Sequence, residues 1–138
     1  MCNSRNTEVY ELLKEVFKKD TNPLVKSYAI LSFVDIACNV SIIRDEALKF
    51  LKDSIKNEFD SEVKIPMLRG LYLLGEKDFL DDLIEELKGE IYQNRCAVIN
   101  MLEEIIDENN KEIIKSALTE LKMSETSKAV LSSIERVL

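Results

Sequence analysis

Apolar side chains return at helical spacing along almost the whole chain, and few residues interrupt them. Only three glycines and two prolines occur among the 138 residues, too few for an all-β chain, which needs turn residues after every short strand. The pattern demands helices. Val9, Leu12, Leu13, Val16 and Phe17 fall at i, i+3, i+4, i+7 and i+8, one stripe of a helix over about residues 7–19. Asn22 and Pro23 supply a cap and a first-turn residue for a second helix, which runs to about Cys38. Ser41 is placed to cap a third over about residues 42–57, with Ile43, Ala47, Phe50, Leu51 and Ile55 inward. A fourth covers "SEVKIPMLRGLYLLG" and stops at Gly75. Asp78 is a candidate cap for a fifth, which ends near Gly89 and buries Phe79, Leu80, Leu83, Ile84 and Leu87. Three more follow over about residues 91–107, about 111–122, and from Ser124 or Glu125 to the C-terminus. Eight helices with short links are the pattern of antiparallel helical neighbours.

The even-numbered helices repeat. "VKSYAILSFVDIA", "VKIPMLRGLYLLG", "NRCAVINMLEEII" and "SKAVLSSIERVL" place Lys26, Lys64, Arg95 and Lys128 in one column. Three positions on stand Ala29, Met67, Val98 and Leu131; seven on, Phe33, Leu71, Leu102 and Glu135; ten on, Ile36, Leu74, Ile105 and Leu138. Only Glu135 breaks a column. Two helices per period of thirty-odd residues are the mark of an α-solenoid.

This pattern resembles the HEAT-like repeat family, whose first helix carries a V-[RK]-x-x-A-x-x-A-L-x-x-[LI]-G type of core. Val63, Lys64, Met67, Gly70, Leu71, Leu74 and Gly75 match best, followed by Val25, Lys26, Ala29, Ser32, Phe33 and Ile36; Asn94 replaces the valine in the third unit. The resemblance spans residues 22–138 and implies an all-α, right-handed α-solenoid of about four helix pairs in a single domain. A capping helix at 1–20 would precede units 22–59, 60–90, 91–123 and an incomplete 124–138. In such an array a small residue such as Gly70 or Ser32 lets helices approach closely, offsetting the roughly 1 kcal/mol that glycine costs a helix relative to alanine. Lys64 then pairs with acids or carbonyls of the neighbouring turn. Pro66 belongs to a first turn, or marks a kink if the helix starts at Ser61.

The chain contains no histidine and no tryptophan. That excludes Ser-His and Cys-His nucleophile pairs and imidazole metal sites. It also departs from the HEAT-like hydroxylases, with their His-Glu metal pairs, and from the HEAT-like DNA glycosylases, with their basic, tryptophan-bearing face. Phycobilin lyases share similar repeats, but nothing here identifies a bilin site. No glycine-rich phosphate loop is present. The paired carboxylates Asp81/Asp82, Glu85/Glu86 and Glu103/Glu104 read as solvated charge rather than an acid-base pair. No catalytic, cofactor or metal residue is expected, so the chain reads as no enzyme.

Cys2, Cys38 and Cys96 are odd in number and widely spaced, as reduced thiols of a cytoplasmic protein are, with two expected to be buried as small hydrophobes. No apolar stretch approaches the roughly 20 residues of a membrane span, and the N-terminal stretch lacks the apolar block of a signal peptide. Val130, Ile134 and Val137 either form an apolar edge that favours a weak homodimer or are covered in a monomer.

The net charge is -7, with 26 acids against 19 bases, which repels nucleic acid and anionic lipid and attracts basic partners. The excess is local. Residues 76–108 hold 11 acids (Glu76, Asp78, Asp81, Asp82, Glu85, Glu86, Glu90, Glu103, Glu104, Asp107, Glu108) against Lys77, Lys88 and Arg95. The resemblance places the second helix of each pair on a concave face, so Asp78, Asp81, Asp82, Glu85 and Glu86 would line the binding groove. Glu103 and Glu104 extend the candidate partner-binding set, and Tyr72 and Tyr92 are either aromatic anchors or core. The expected function is non-catalytic binding of a basic protein, in its most concrete form an immunity protein that neutralises a bacterial toxin such as a nuclease. The alternative is a cytoplasmic scaffold or regulatory subunit.

Overall fold

The computed structural model describes the backbone of residues 2–138 and side chains from Thr7 onward, so Cys2 lies outside the described side chains. It is all-helical: α1 (Cys2–Lys19), α2 (Pro23–Asn39), α3 (Ser41–Ile55), α4 (Ser61–Leu73), α5 (Phe79–Glu85) with a 3-10 turn at Glu86–Lys88, α6 (Tyr92–Ile105), α7 (Lys111–Ser124) and α8 (Lys128–Val137). The chain divides into two compact units, Met1–Leu80 and Asp81–Leu138. No helix among the described residues is long and apolar enough to cross a membrane.

Local chemistry sets the helix ends. The Asn22 side chain accepts from Leu24 N at 2.9 Å, with Pro23 in the first turn, as its sequence position predicts. Asp60 does the same for α4, accepting from Glu62 N at 3.0 Å. At the other end of α4, Gly75 takes φ 112°, a left-handed conformation that costs glycine nothing. Gly75 N then reaches Tyr72 O at 3.1 Å and Glu76 N reaches Leu71 O at 3.0 Å, which closes the helix. Two expected caps fail. Ser41 lies inside α3 behind Val40, without a side-chain capping bond. Asp78 is exposed, and Phe79 N and Leu80 N bond to the carbonyls of Glu76 and Lys77 instead.

In the first unit α1 packs on α2, α2 on α4, and α3 on both α2 and α4. Its core joins Tyr10, Phe17, Ile30, Phe33, Val34, Ala47, Leu51, Val63, Met67 and Leu71. The stripe of α1 is turned from the expected one: Val9 and Leu12 are exposed, and Tyr10 is fully buried in their place. The Tyr10 ring stacks on Phe33 with centroids 4.5 Å apart, a contact worth about 1 kcal/mol beyond burial, which neither aliphatic residue offers. Gly70 is where α4 comes closest to its neighbours: an added Cβ would lie 2.5 Å from Val34 Cγ2 and 3.2 Å from Leu51 Cδ1. Ser32, its expected counterpart in α2, is exposed and mediates no such approach.

Because α4 starts at Ser61, Pro66 falls in its second turn and leaves the Glu62 carbonyl without the usual i+4 donor. The buried Ser27 hydroxyl donates to that carbonyl at 2.8 Å. A side chain of α2 thus supplies the bond that proline removes.

In the second unit α6 packs on α8 and on the 3-10 turn, and α7 packs on α8. Its buried residues include Leu83, Leu87, Val98, Ile99, Leu102, Ile114, Leu118, Val130 and Ile134. Asn110 fixes the turn between α6 and α7. It is buried, donates to Ile105 O at 2.9 Å and accepts from Asp107 N at 2.7 Å. Val130 and Ile134 are fully buried and form no apolar edge for dimerisation; Val137 is half-buried. The cysteines differ from expectation too: Cys38 is exposed and Cys96 only partly buried. Partial burial nevertheless raises the Cys38 thiol pKa; Arg44 and Arg69 pull it down and Asp35 adds to the rise.

Two of the three apolar repeat columns correspond to buried positions in three of the four even-numbered helices; in the third, Leu74 and Ile105 are buried, Ile36 is half-buried and Leu138 exposed. Ala29, Met67 and Val98 are buried, as are Phe33, Leu71 and Leu102. In α8 the register is one residue earlier. Ser127 is the N-cap, accepting from Val130 N at 3.4 Å, and Val130 and Ile134 take the buried places assigned to Leu131 and Glu135.

Candidate functional site

The basic column is structural at the two positions whose contacts are resolved. Lys26 pairs with Glu58 at 3.5 Å and lies 4.9 Å above the Phe17 ring. Arg95 grips Glu125 bidentately, Nε to Oε2 at 2.8 Å and Nη2 to Oε1 at 2.9 Å. Its Nη1 donates to the carbonyls of Gly89 at 2.8 Å and Glu90 at 3.0 Å. In each case the acid stands in the turn just before the next even-numbered helix, 32 residues after Lys26 and 30 after Arg95. Two of the four members of the basic column thus tie their helix to the turn before the next even-numbered helix.

The Arg95–Glu125 bond is nearly dry, the Glu125 side chain being 3% exposed and that of Arg95 14%. Glu125 Oε1 also accepts from Ser127 N at 3.0 Å and Thr126 N at 3.2 Å. The Arg95 hydrogen bonds, against the opposing effect of burial and with help from these amides, hold the Glu125 carboxyl below the usual range. Glu125 was readable only as a possible helix start, although its place before α8 matches that of Glu58 before α4.

Beside this pair lies the candidate site, a cavity of about 380 Å³ wholly within the second unit. Ile84 and Leu87 line one side and Ala117 and Leu121 of α7 the other; Glu85, Lys88 and Glu120 stand at the rim, and Arg95 with Glu125 closes one end. A shallower depression lined by Glu112, Ile113 and Ser116 shares Ala117 and Glu120 with it and so continues it along α7. The α7 contribution has a sequence signal of its own. Ile113, Ala117 and Leu121 at i, i+4 and i+8 form a second apolar stripe beside the buried Ile114 and Leu118.

The predicted acids are distributed unequally. On α5 and its 3-10 turn, Leu80, Leu83 and Leu87 are buried and Asp81, Asp82 and Glu85 exposed, as the spacing requires, while Phe79 and Ile84 are only half-buried. Glu86 is half-buried. Glu85 pairs with Lys88 at 3.2 Å, whereas Asp81 and Asp82 have no ion pair or hydrogen bond among the described residues. Asp78 is likewise exposed and unpaired. Glu103 is turned toward α8, where Arg136 Nε donates to it at 3.0 Å; Glu104 is exposed. Tyr92 is 45% exposed at the start of α6 beside the exposed Ile91, whereas Tyr72 is core, buried beneath the Lys77 ammonium at 4.2 Å, and is no anchor. Among the described residues no three Cys, Asp or Glu side chains are grouped to hold a metal ion.

Comparison with protein families, with curated proteins and with solved structures returns no match to this chain.

Proposed function

We propose that the chain is a non-catalytic protein-binding module whose acidic surface docks a basic protein. Its most concrete form is a cytoplasmic immunity protein that inhibits a bacterial toxin such as a nuclease. The observation that carries this reading is the pair Asp81 and Asp82, exposed on α5 with no cationic partner among the described residues, next to a cavity lined by both apolar and polar side chains. Exposed acids tied into internal pairs have little field left for a partner, while free ones steer a cationic protein and accelerate its association. The HEAT-like, right-handed solenoid of about four pairs belongs to the same reading. It is supported by the buried columns and by the recurrence of the Lys26–Glu58 arrangement in Arg95–Glu125.

The test is capture of partners by the immobilised protein at about 0.1 M and about 1 M salt, where the screening length falls from about 10 to about 3 Å. The expected result is one basic protein, held at low salt and released at high salt. It should be lost when Asp81, Asp82, Glu85 and Glu86 are all changed to lysine. A partner retained by that variant refutes acidic docking; several weak partners point to a scaffold. Turnover of a substrate, abolished by one carboxylate substitution, overturns the non-catalytic assignment.

A further inference from the structure

We infer that the groove between α5 with its 3-10 turn and α7 is the seat of a helical segment of the partner, apolar along one stripe and lysine- or arginine-rich on its flanks. This rests on the docking reading above and names the part of the partner that would be recognised. Three observations carry it.

The first is the lining. Ile84, Leu87, Ala117 and Leu121 offer apolar contact. The polar groups at the closed end are already engaged: Arg95 is held by Glu125 and the Gly89 and Glu90 carbonyls, and Glu125 accepts from Arg95 and two backbone amides. A small polar ligand is fixed by convergent polar groups, and the charged pair at this end is already committed to its own bonds. An apolar side chain needs none.

The second is the rim. Glu112 and Glu120 on α7 are exposed and have no ion pair among the described residues, and the same holds for Asp81, one helical turn before the lining residues Ile84 and Glu85 of α5. Lys88 is neutralised by Glu85. An apolar strip bordered by free carboxylates on both sides complements an apolar stripe bordered by cations.

The third is length. The α7 face extends from Glu112 to Ser124, roughly 18 Å at 1.5 Å per residue, or about three turns of a docked helix, with α5 and its 3-10 turn opposite its Ala117–Ser124 part and α7 alone forming the rest. Helix-in-groove recognition uses anchors at i, i+3, i+4 and i+7 over such a length.

The probe is a fluorescein-labelled 14-residue peptide of leucine and lysine with leucine at helical spacing. Its control has the same composition in strict alternation, and binding is read by fluorescence anisotropy. The helical pattern should bind at least ten times more tightly than the alternating one. Ala117→Arg, which fills the groove, and the double change Glu112→Lys with Glu120→Lys at exposed positions should each weaken it tenfold or more, with circular dichroism unchanged. Equal binding of both peptides, absence of binding, or indifference to the Glu112/Glu120 change overturns the groove. Captured natural partner separates this from the docking reading. If it is lost on reversal of the α5 acids yet kept by the groove variants, the groove falls and acidic docking stands; if neither set affects it, both fall.

Discussion

Glu125→Gln isolates the ion pair that closes the groove. The substitution keeps the shape of the side chain and one acceptor oxygen, so the Ser127 amide can still be served. It removes the charge and the second acceptor on which the Arg95 fork rests. The guanidinium is then left 14% exposed against two carbonyls and a neutral amide. Removing one partner of a buried pair costs about 3–5 kcal/mol, and because Arg95 retains some solvent contact the lower end, about 3 kcal/mol, is expected at pH 7. The pH dependence gives a second, sharper criterion. The folded-state pKa of Glu125 is depressed, so its stabilisation is complete above the unfolded value of about 4.3 and is lost as pH falls through the depressed folded value. The stability gap between wild type and Glu125→Gln should therefore be constant from pH 7 down to about 5 and close below about pH 4. Urea unfolding followed by circular dichroism at several pH values measures it, and subtracting the two curves cancels the other carboxylates. A gap under about 1 kcal/mol at pH 7, or one that does not shrink in acid, refutes the assignment of the pair as a dry structural clamp.

Three further substitutions probe the first unit. Gly70→Ala gains about 1 kcal/mol of helix propensity but forces a Cβ to 2.5 Å from a stiff valine, so a net loss of about 1–2 kcal/mol is expected, partly relieved by Val34→Ala; an unchanged or raised melting temperature contradicts it. Ser27→Ala removes the donor to the Glu62 carbonyl and should cost about 1–2 kcal/mol with Pro66 in place, and less in a Pro66→Ala background, where the amide returns; equal costs in both backgrounds contradict the pairing. The Tyr10 hydroxyl is sealed from solvent, with the Glu46 carboxylate facing it but no well-formed hydrogen bond closed, and burial pushes its pKa up. Tyr10→Phe should therefore leave stability equal or up to about 1 kcal/mol higher, and a loss above about 1 kcal/mol in urea unfolding would reveal a bond to Glu46 that matters.

Helix number and order were legible because few residues interrupt the apolar period, and ends carrying their own chemistry, such as Asn22 and Gly75, were placed correctly. What failed depended on partners remote in sequence. Val9 and Leu12 lie on a helix with apolar residues on two sides, and only Phe33 across the interface decides that Tyr10 turns inward. Serine at position 127 caps α8 where Ser124 or Glu125 was expected, and the buried register of α8 lies one residue before the aligned columns. Cys38, expected to be buried, is exposed, and Tyr72, open between anchor and core, is core, since residue type alone does not say which face a neighbour covers. At the candidate site the α5 acids were legible from spacing, while the α7 wall at Ala117 and Leu121 was hidden among helical residues of no chemical distinction.

Whether an acid is available to a partner depends less on how many acids surround it in sequence than on which cations the fold brings to it. The first unit, with 13 acids and 12 bases, is nearly balanced, and the fold ties many of its acids down: Glu46 to Lys14, Glu58 to Lys26, Glu76 to Lys52, Glu15 to Lys19 and Asp53 to Lys56. Burial opposes the charged form of Glu46, yet the Lys14 ammonium that hydrogen-bonds to it, with the Lys18 charge, outweighs burial and holds that carboxyl below its ordinary range. The second unit has 13 acids against 7 bases, and two of those bases, Arg95 and Arg136, are committed to Glu125 and Glu103. Among the carboxylates left over in the described residues, Asp81 and Asp82 on α5 and Glu112 and Glu120 on α7 belong to the helices that border the groove, whereas Glu90 and Glu135 lie elsewhere. Their charge has no work to do inside the unit. Charge that secures no internal contact adds self-repulsion to the unit, and under the proposed docking reading the four residues on α5 and α7, rather than the net charge of the chain, would meet a basic partner.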